Sequence, residues 1–253
     1  MSAIRALLGS LLYFPAREII ATPEHAGLSY RDLEFESDDG ERLHGWWVEA
    51  RGDRRGHLLL CHGNAGNVGD RVLHAELLTS VGFDVMLFDY RGYGRSSGRP
   101  DEYGTYRDAR AARACLLGQP HVDPARVIYL GESLGAAVAI ELATAHPPAG
   151  LALLSAFASV RSMARVHYRV IPPALVPDAY PSLDRIRGLH VPLLVLHGDR
   201  DDIVPLAQGQ ELYEAAPGPK RMCVLRGASH NDVLERAATT LTTELAEWTD
   251  GLP

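Results

Sequence analysis

The 253-residue sequence predicts a doubly wound α/β architecture on a mostly parallel sheet of about eight strands. Three observations predict it. Short apolar, β-branched runs alternate with helical stretches over most of the chain. Those runs end in loops rich in Gly, Asp and His, where open α/β sheets carry their chemistry. One run, Val127 to Leu130, enters Gly131-Glu132-Ser133-Leu134-Gly135 and leaves through an alanine-rich helix.

Each element has a local reason. Leu33 to Ser37 and Arg42 to Val48 flank Asp38-Asp39-Gly40, a turn signal that predicts an antiparallel hairpin, with Trp46 and Trp47 expected to cover the sheet edge. His57 to Cys61 reads as a buried strand and Asp70 to Val81 as a helix. Asp84 to Phe88 is the next strand and Tyr103 to Leu117 the next helix. Between them, Asp89 and Arg91 are expected to brace a loop. Asp123-Pro124 turns into the strand before Ser133, whose helix runs to about Ala145 and stops at Pro147-Pro148. Gly150 to Leu154, Val191 to His197 and Arg221 to Leu225 complete the strands, with helices at Ala207 to Ala215 and on to about Asp250.

Two segments stand outside this alternation. Residues 1–30 hold the apolar stretch Ala6 to Phe14, too short for the roughly 20 residues of a membrane span and without a good signal-peptidase site. A cap helix or a weak interfacial anchor is expected there. Residues 155–189 are proline-rich with one helical patch: Val160, Met163, Ala164, His167 and Ile171 share one face, and Arg161, Arg165 and Arg169 another. A small cap over the site is expected, with the arginines solvated. The whole chain is read as one domain.

Composition removes several classes. A net charge of −7 without a Lys/Arg cluster leaves no electrostatic footprint for nucleic acid. Cys61, Cys115 and Cys223 lack metal-ligand spacing and read as buried, reduced thiols, which points to the cytoplasm. The glycine-rich loop His62 to Gly69 is no phosphate cradle, because Gly-Lys-Ser/Thr is missing and its spacing is not G-x-G-x-x-G. Gly92-x-Gly94 likewise lacks the third glycine.

What remains is a constellation. A serine between small residues at a strand-to-helix turn is a nucleophile elbow, with the helix N-terminus facing it. Small neighbours are needed because strand and helix approach closely, and Gly131 and Gly135 supply them. A serine hydroxyl needs a base, and the base needs a group to orient it. His230 follows the last strand in Gly227-Ala228-Ser229-His230, and Asp199, Asp201 and Asp202 follow the preceding one. The expected oxyanion donors are the N–H groups of Asn64, in the glycine loop, and Leu134, after the serine.

These residues sit in longer motifs: LYFP at 12–15, DGERLHGW at 39–46, HGNAGN at 62–67, DYRGYGRSSG at 89–98, GESLG at 131–135, HGDRDDIVP at 197–205 and GASHND at 227–232. Together they resemble the α/β-hydrolases of the Bem46-like group, near the serine aminopeptidase-type hydrolases. The resemblance implies the α/β-hydrolase fold and assigns the triad acid, in H-G-x-x-D, to Asp201. Glu132 departs from the Arg or Tyr often found there. The resemblance implies an esterase or thioesterase acting on a small molecule, with no cofactor or metal. A peptidase, with Glu132 gripping a substrate amine, and a catalytically silent ligand-binding scaffold are the alternatives.

Overall fold

The computed structural model describes residues 12–168, 172 and 176–252. Eight strands form one sheet: β1 (Tyr30–Glu36), β2 (Arg42–Val48), β3 (Gly56–Cys61), β4 (Phe83–Phe88), β5 (Val127–Glu132), β6 (Gly150–Leu154), β7 (Leu193–Gly198) and β8 (Lys220–Leu225). In space they run β8-β7-β6-β5-β3-β4-β2-β1. The β1–β2 and β2–β4 pairs are antiparallel and every other pair is parallel. The strand order reverses at β3, so the carboxyl ends of β3 and β5 lie side by side at the switch point, where α/β sheets open a crevice.

Helices cover both faces. On one lie α1 (Val72–Ser80) and α7 (Val233–Asp250); on the other lie α2 (Glu102–Leu117), α3 (Leu134–Ala145), α5 (Ser182–Ile186) and α6 (Leu206–Ala215). The continuous apolar run of β3 follows from this. Leu59 and Cys61 pack toward α2 and α3 while Leu58 and Leu60 pack toward α1 and α7, so both faces are apolar from Leu58 onward. Each leucine contributes roughly 1.5–3 kcal/mol by burial. One further helix, α4 (Val160–His167), starts at Ser159, whose hydroxyl accepts from the Ser162 N–H at 3.0 Å.

The hairpin lies where expected, but the tryptophans do not cover an edge. β1 takes the edge and β2 is one strand inward, so Trp46 and Trp47 alternate to opposite faces and are both buried. Of the three free thiols only Cys61 is fully buried; Cys115 and Cys223 are partly exposed, on α2 and the edge strand β8. Residues 1–11, with most of the predicted cap helix, and Arg169 and Ile171 of the helical patch lie outside the described residues. Arg161 pairs with Asp178 at 3.2 Å, while Arg165 is exposed.

Asp89 and Arg91 do brace their loop. The Arg91 guanidinium bridges Asp108 and Asp39 at 2.8–3.1 Å, and Asp89 Oδ1 accepts from the Val68 N–H at 2.9 Å.

The tightest approach in the sheet is at Gly135. A Cβ there would overlap the backbone carbonyl of Cys61, and one on Gly131 would lie 2.5 Å from the Ala136 Cα. Gly135→Ala is expected to cost about 3 kcal/mol or more in urea unfolding. Gly118→Ala, whose nearest neighbour would be 3.5 Å away, is expected to stay within about 1 kcal/mol. Equal effects of the two would contradict this packing.

Candidate active site

Ser133 sits between β5 and α3 with φ 52° and ψ −112°, a conformation non-glycine residues rarely adopt. The turn is held because the Ser133 N–H donates to the Leu154 carbonyl at 2.9 Å, on the neighbouring strand. Its side chain does not cap α3, so the hydroxyl is free to face outward.

His230 reaches it from the loop after β8. His230 Nε2 lies 3.1 Å from Ser133 Oγ, and His230 Nδ1 lies 2.8 Å from Asp201 Oδ2. With Nδ1–H donating to the carboxylate, the Nε2 lone pair faces the serine hydroxyl. Of the three candidate acids, only Asp201 contacts the histidine. Asp199 instead accepts the Gly227 N–H at 2.6 Å, and Asp202 is exposed. The other oxygen of Asp201 accepts the N–H groups of Ile203 and Val204 at 3.1 and 2.7 Å. Burial pushes the Asp201 carboxyl up, but the bonds from His197, His230 and Val204 outweigh it and hold it far below the usual carboxylate range. It is therefore charged whenever His230 needs a counter-ion.

The glycine loop lies against the elbow. A Cβ on Gly63 would be 3.8 Å from the Ser133 Cβ. Asn64 is fixed from three sides: its side-chain amide donates to the Leu12 carbonyl at 2.9 Å, and its own carbonyl accepts from the Phe14 N–H and the Tyr93 hydroxyl at 2.9 and 2.7 Å. Among the described residues the Asn64 N–H donates to no backbone carbonyl. The Leu134 N–H, first of α3, has no intrahelical acceptor by construction. Both N–H groups are thus without a backbone acceptor among the described residues.

Several contacts of this neighbourhood are not apparent in the sequence. His197, at the end of β7, donates from Nε2 to the Val204 carbonyl at 2.8 Å and so supports the Asp201 turn. Phe14–Pro15 pairs in parallel with Ala65–Gly66, stitching the N-terminal segment to the glycine loop. The motif LYFP was the only trace of that contact. Glu132 is already paired: its Oε2 lies 3.1 Å from Arg71 Nε and 3.5 Å from His74 Nε2. A groove lined by Arg54, Arg55 and Arg126 lies at the opposite, amino end of the strands, and its arginines are occupied by Asp84, Asp250 and the Arg54 carbonyl.

A hydroxyl on a strained strand-to-helix turn, a histidine within hydrogen-bond reach and a buried carboxylate behind it, on this sheet, define the α/β-hydrolase class. The chain belongs to the serine aminopeptidase S33 family of α/β-hydrolases, whose family model matches residues 52–186. It is 47% identical over 227 residues to the uncharacterized protein Rv2307c of Mycobacterium tuberculosis, covering 88% of this chain and 80% of that one. It is 31% identical over 213 residues to α/β hydrolase domain-containing protein 17B of Xenopus tropicalis, covering 81% and 73%. Among solved structures, the Pyrococcus furiosus esterase Pf2001 superposes with a TM-score of 0.77 at 22% identity, covering 95% of this chain and 98% of that one. At that identity the likeness is one of fold. No helix among the described residues is long and apolar enough to cross a membrane.

Two histidines near the site give a pH dependence. Burial, aided by Arg71, pushes His62 down to about 4; burial also pushes His74 down to about 4. Both are neutral in the fold and titrate near 6.5 when unfolded. The unfolded state therefore binds more protons below about 6.5, and stability falls as pH drops toward 4. His44 acts in the opposite sense: burial lowers it, but Asp89 and Asp32 raise it further. The two histidines lower Tm between pH 7 and pH 4.5, with roughly 2–3 kcal/mol from His74 as an upper limit, against His44 and Asp108, whose carboxyl burial pushes up to about 6. His74→Leu should flatten that fall. Identical pH slopes for the variant and the wild type would contradict the assignment.

Proposed function

We propose that the chain works as one α/β-hydrolase domain that cleaves carboxylic esters or thioesters through an acyl-enzyme. The observation that carries this reading is the Ser133–His230–Asp201 chain of contacts at 3.1 and 2.8 Å. Ser133 Oγ attacks the carbonyl carbon while His230 Nε2 takes its proton. Asp201 holds the imidazole by Nδ1–H and stabilises the imidazolium. The negative oxygen of the tetrahedral intermediate lies between the N–H groups of Asn64 and Leu134, with the positive end of α3 behind it. His230 then gives the proton to the departing alcohol or thiol. Water repeats the sequence on the acyl-enzyme, releasing the acid and restoring Ser133.

Residues 155–189 continue from the end of β6, beside the strand that carries Ser133, and we assign them to a cap bordering the acyl side. Gln208 ties this segment down, its carbonyl accepting from the Ala158 N–H and the Ser162 hydroxyl at 2.9 and 2.8 Å. We place the protein in the cytoplasm on its three free thiols, with peripheral membrane contact through residues 1–30 as the alternative. A peptidase is the second reading, favoured by the family's description. Against it, the acid next to the serine already pairs with Arg71.

Ser133→Ala and Asp201→Asn are each expected to lower kcat on a short-chain p-nitrophenyl ester by about 10³-fold or more. Unchanged turnover in Ser133→Ala would overturn the proposal. Turnover of an aminoacyl arylamide faster than of the ester would favour the peptidase.

A further inference from the structure

The residue before the nucleophile is an acid, and the proposed reaction places a negative charge close to it. The structure supplies a partner. Arg71 Nε lies 3.1 Å from Glu132 Oε2, and both side chains are mostly buried. This is an ion pair through space: neither atom has a hydrogen-bond partner among the described residues. Burial pushes the Glu132 carboxyl up, but the field of the Arg71 guanidinium foremost outweighs it and holds it below its ordinary value.

The same guanidinium reaches the glycine loop. Arg71 Nη2 donates to the Ala65 carbonyl at 3.3 Å, and a Cβ on Gly63 would lie 3.5 Å from it. Arg71 is itself rigidly based. It ends a 3₁₀ turn, Val68–Arg71, that is closed by Asn67 and Asp70: Asn67 accepts from the Gly69 N–H at 2.8 Å, and Asp70 accepts from the Asn67 N–H at 2.9 Å. The Asn67 amide is in turn held by the carbonyls of Ala16 and Glu18 at 3.2 and 2.7 Å.

We propose that the Arg71–Glu132 ion pair is a positioning clamp: it binds the strand end that carries Ser133 to the loop that carries the Asn64 N–H, and so fixes the width of the oxyanion hole. The inference rests on the serine-hydrolase reading above. Arg71 and Glu132 touch no substrate; they act through the backbone of Ala65 and of the elbow. The clamp also explains how an acid is tolerated beside the nucleophile, since its charge is met by Arg71 rather than by the developing oxyanion.

A clamp acts as one unit, so its two halves should not add. Arg71→Met and Glu132→Gln are each expected to lower kcat on the p-nitrophenyl ester about 10- to 100-fold, with KM changed less than about threefold. The double variant should be no slower than the slower single one. Inhibition by a trifluoromethyl ketone, which forms an oxyanion on Ser133, should weaken in step with kcat/KM. Tm, measured for all three, separates loss of fold from loss of geometry. If Arg71→Met does not fold, Glu132→Gln carries the test alone through its KM-against-kcat split and its ketone affinity. Wild-type kcat and ketone affinity in a folded Glu132→Gln would overturn the clamp while leaving the hydrolase reading intact, as would additive losses in a folded double variant. A wild type that hydrolyses no ester would overturn both.

Discussion

Helix α3 lies so close to the sheet that the Gly135 position has no room for a side chain against the Cys61 carbonyl, and the remainder of the site follows from that approach. It forces the sharp turn at Ser133, and the turn is why the serine takes a positive φ. It brings the free N–H of Leu134 to the end of β3, where the glycine loop begins. It also sets Ser133 above the carboxyl edge of the sheet, at the height of the loops after β7 and β8. Strain at one residue is held by the packing of two buried layers and by the Ser133 N–H bond to Leu154.

Around that turn the charges are ordered by what they face. Asp201 is buried and multiply bonded, so it remains an anion behind His230. Glu132 is the second carboxylate of the neighbourhood, and Arg71 faces it. His62 and His74, buried beside the same guanidinium, are kept neutral. The turn is thus bordered by a compensated acid, neutral imidazoles and N–H groups without a backbone acceptor among the described residues.

Much of this was legible from sequence because it lives in local chemistry. The strands announce themselves through apolar runs buried on both faces, and the elbow through glycines that only a close approach requires. His230 was identifiable by its place after the last strand. Its acidic partner was legible only through the resemblance, which pointed to Asp201: Asp199, Asp201 and Asp202 follow the same strand, and the direction of the turn decides which one meets His230. Arg71 and His74 are silent in the sequence because they meet Glu132 across about 60 residues of chain. The two tryptophans were misplaced for a related reason. Which strand forms an edge is a property of sheet order, and hairpin pairing alone does not fix it.

An activated Ser133 would show itself in its covalent chemistry. A fluorophosphonate probe reacts with a serine whose proton is being taken by a base. The protein is incubated with the probe, digested and mapped by mass spectrometry. The account predicts a single adduct on Ser133 and its loss in a folded His230→Ala variant. An unlabelled Ser133 in folded wild type, or equal labelling without His230, would contradict it.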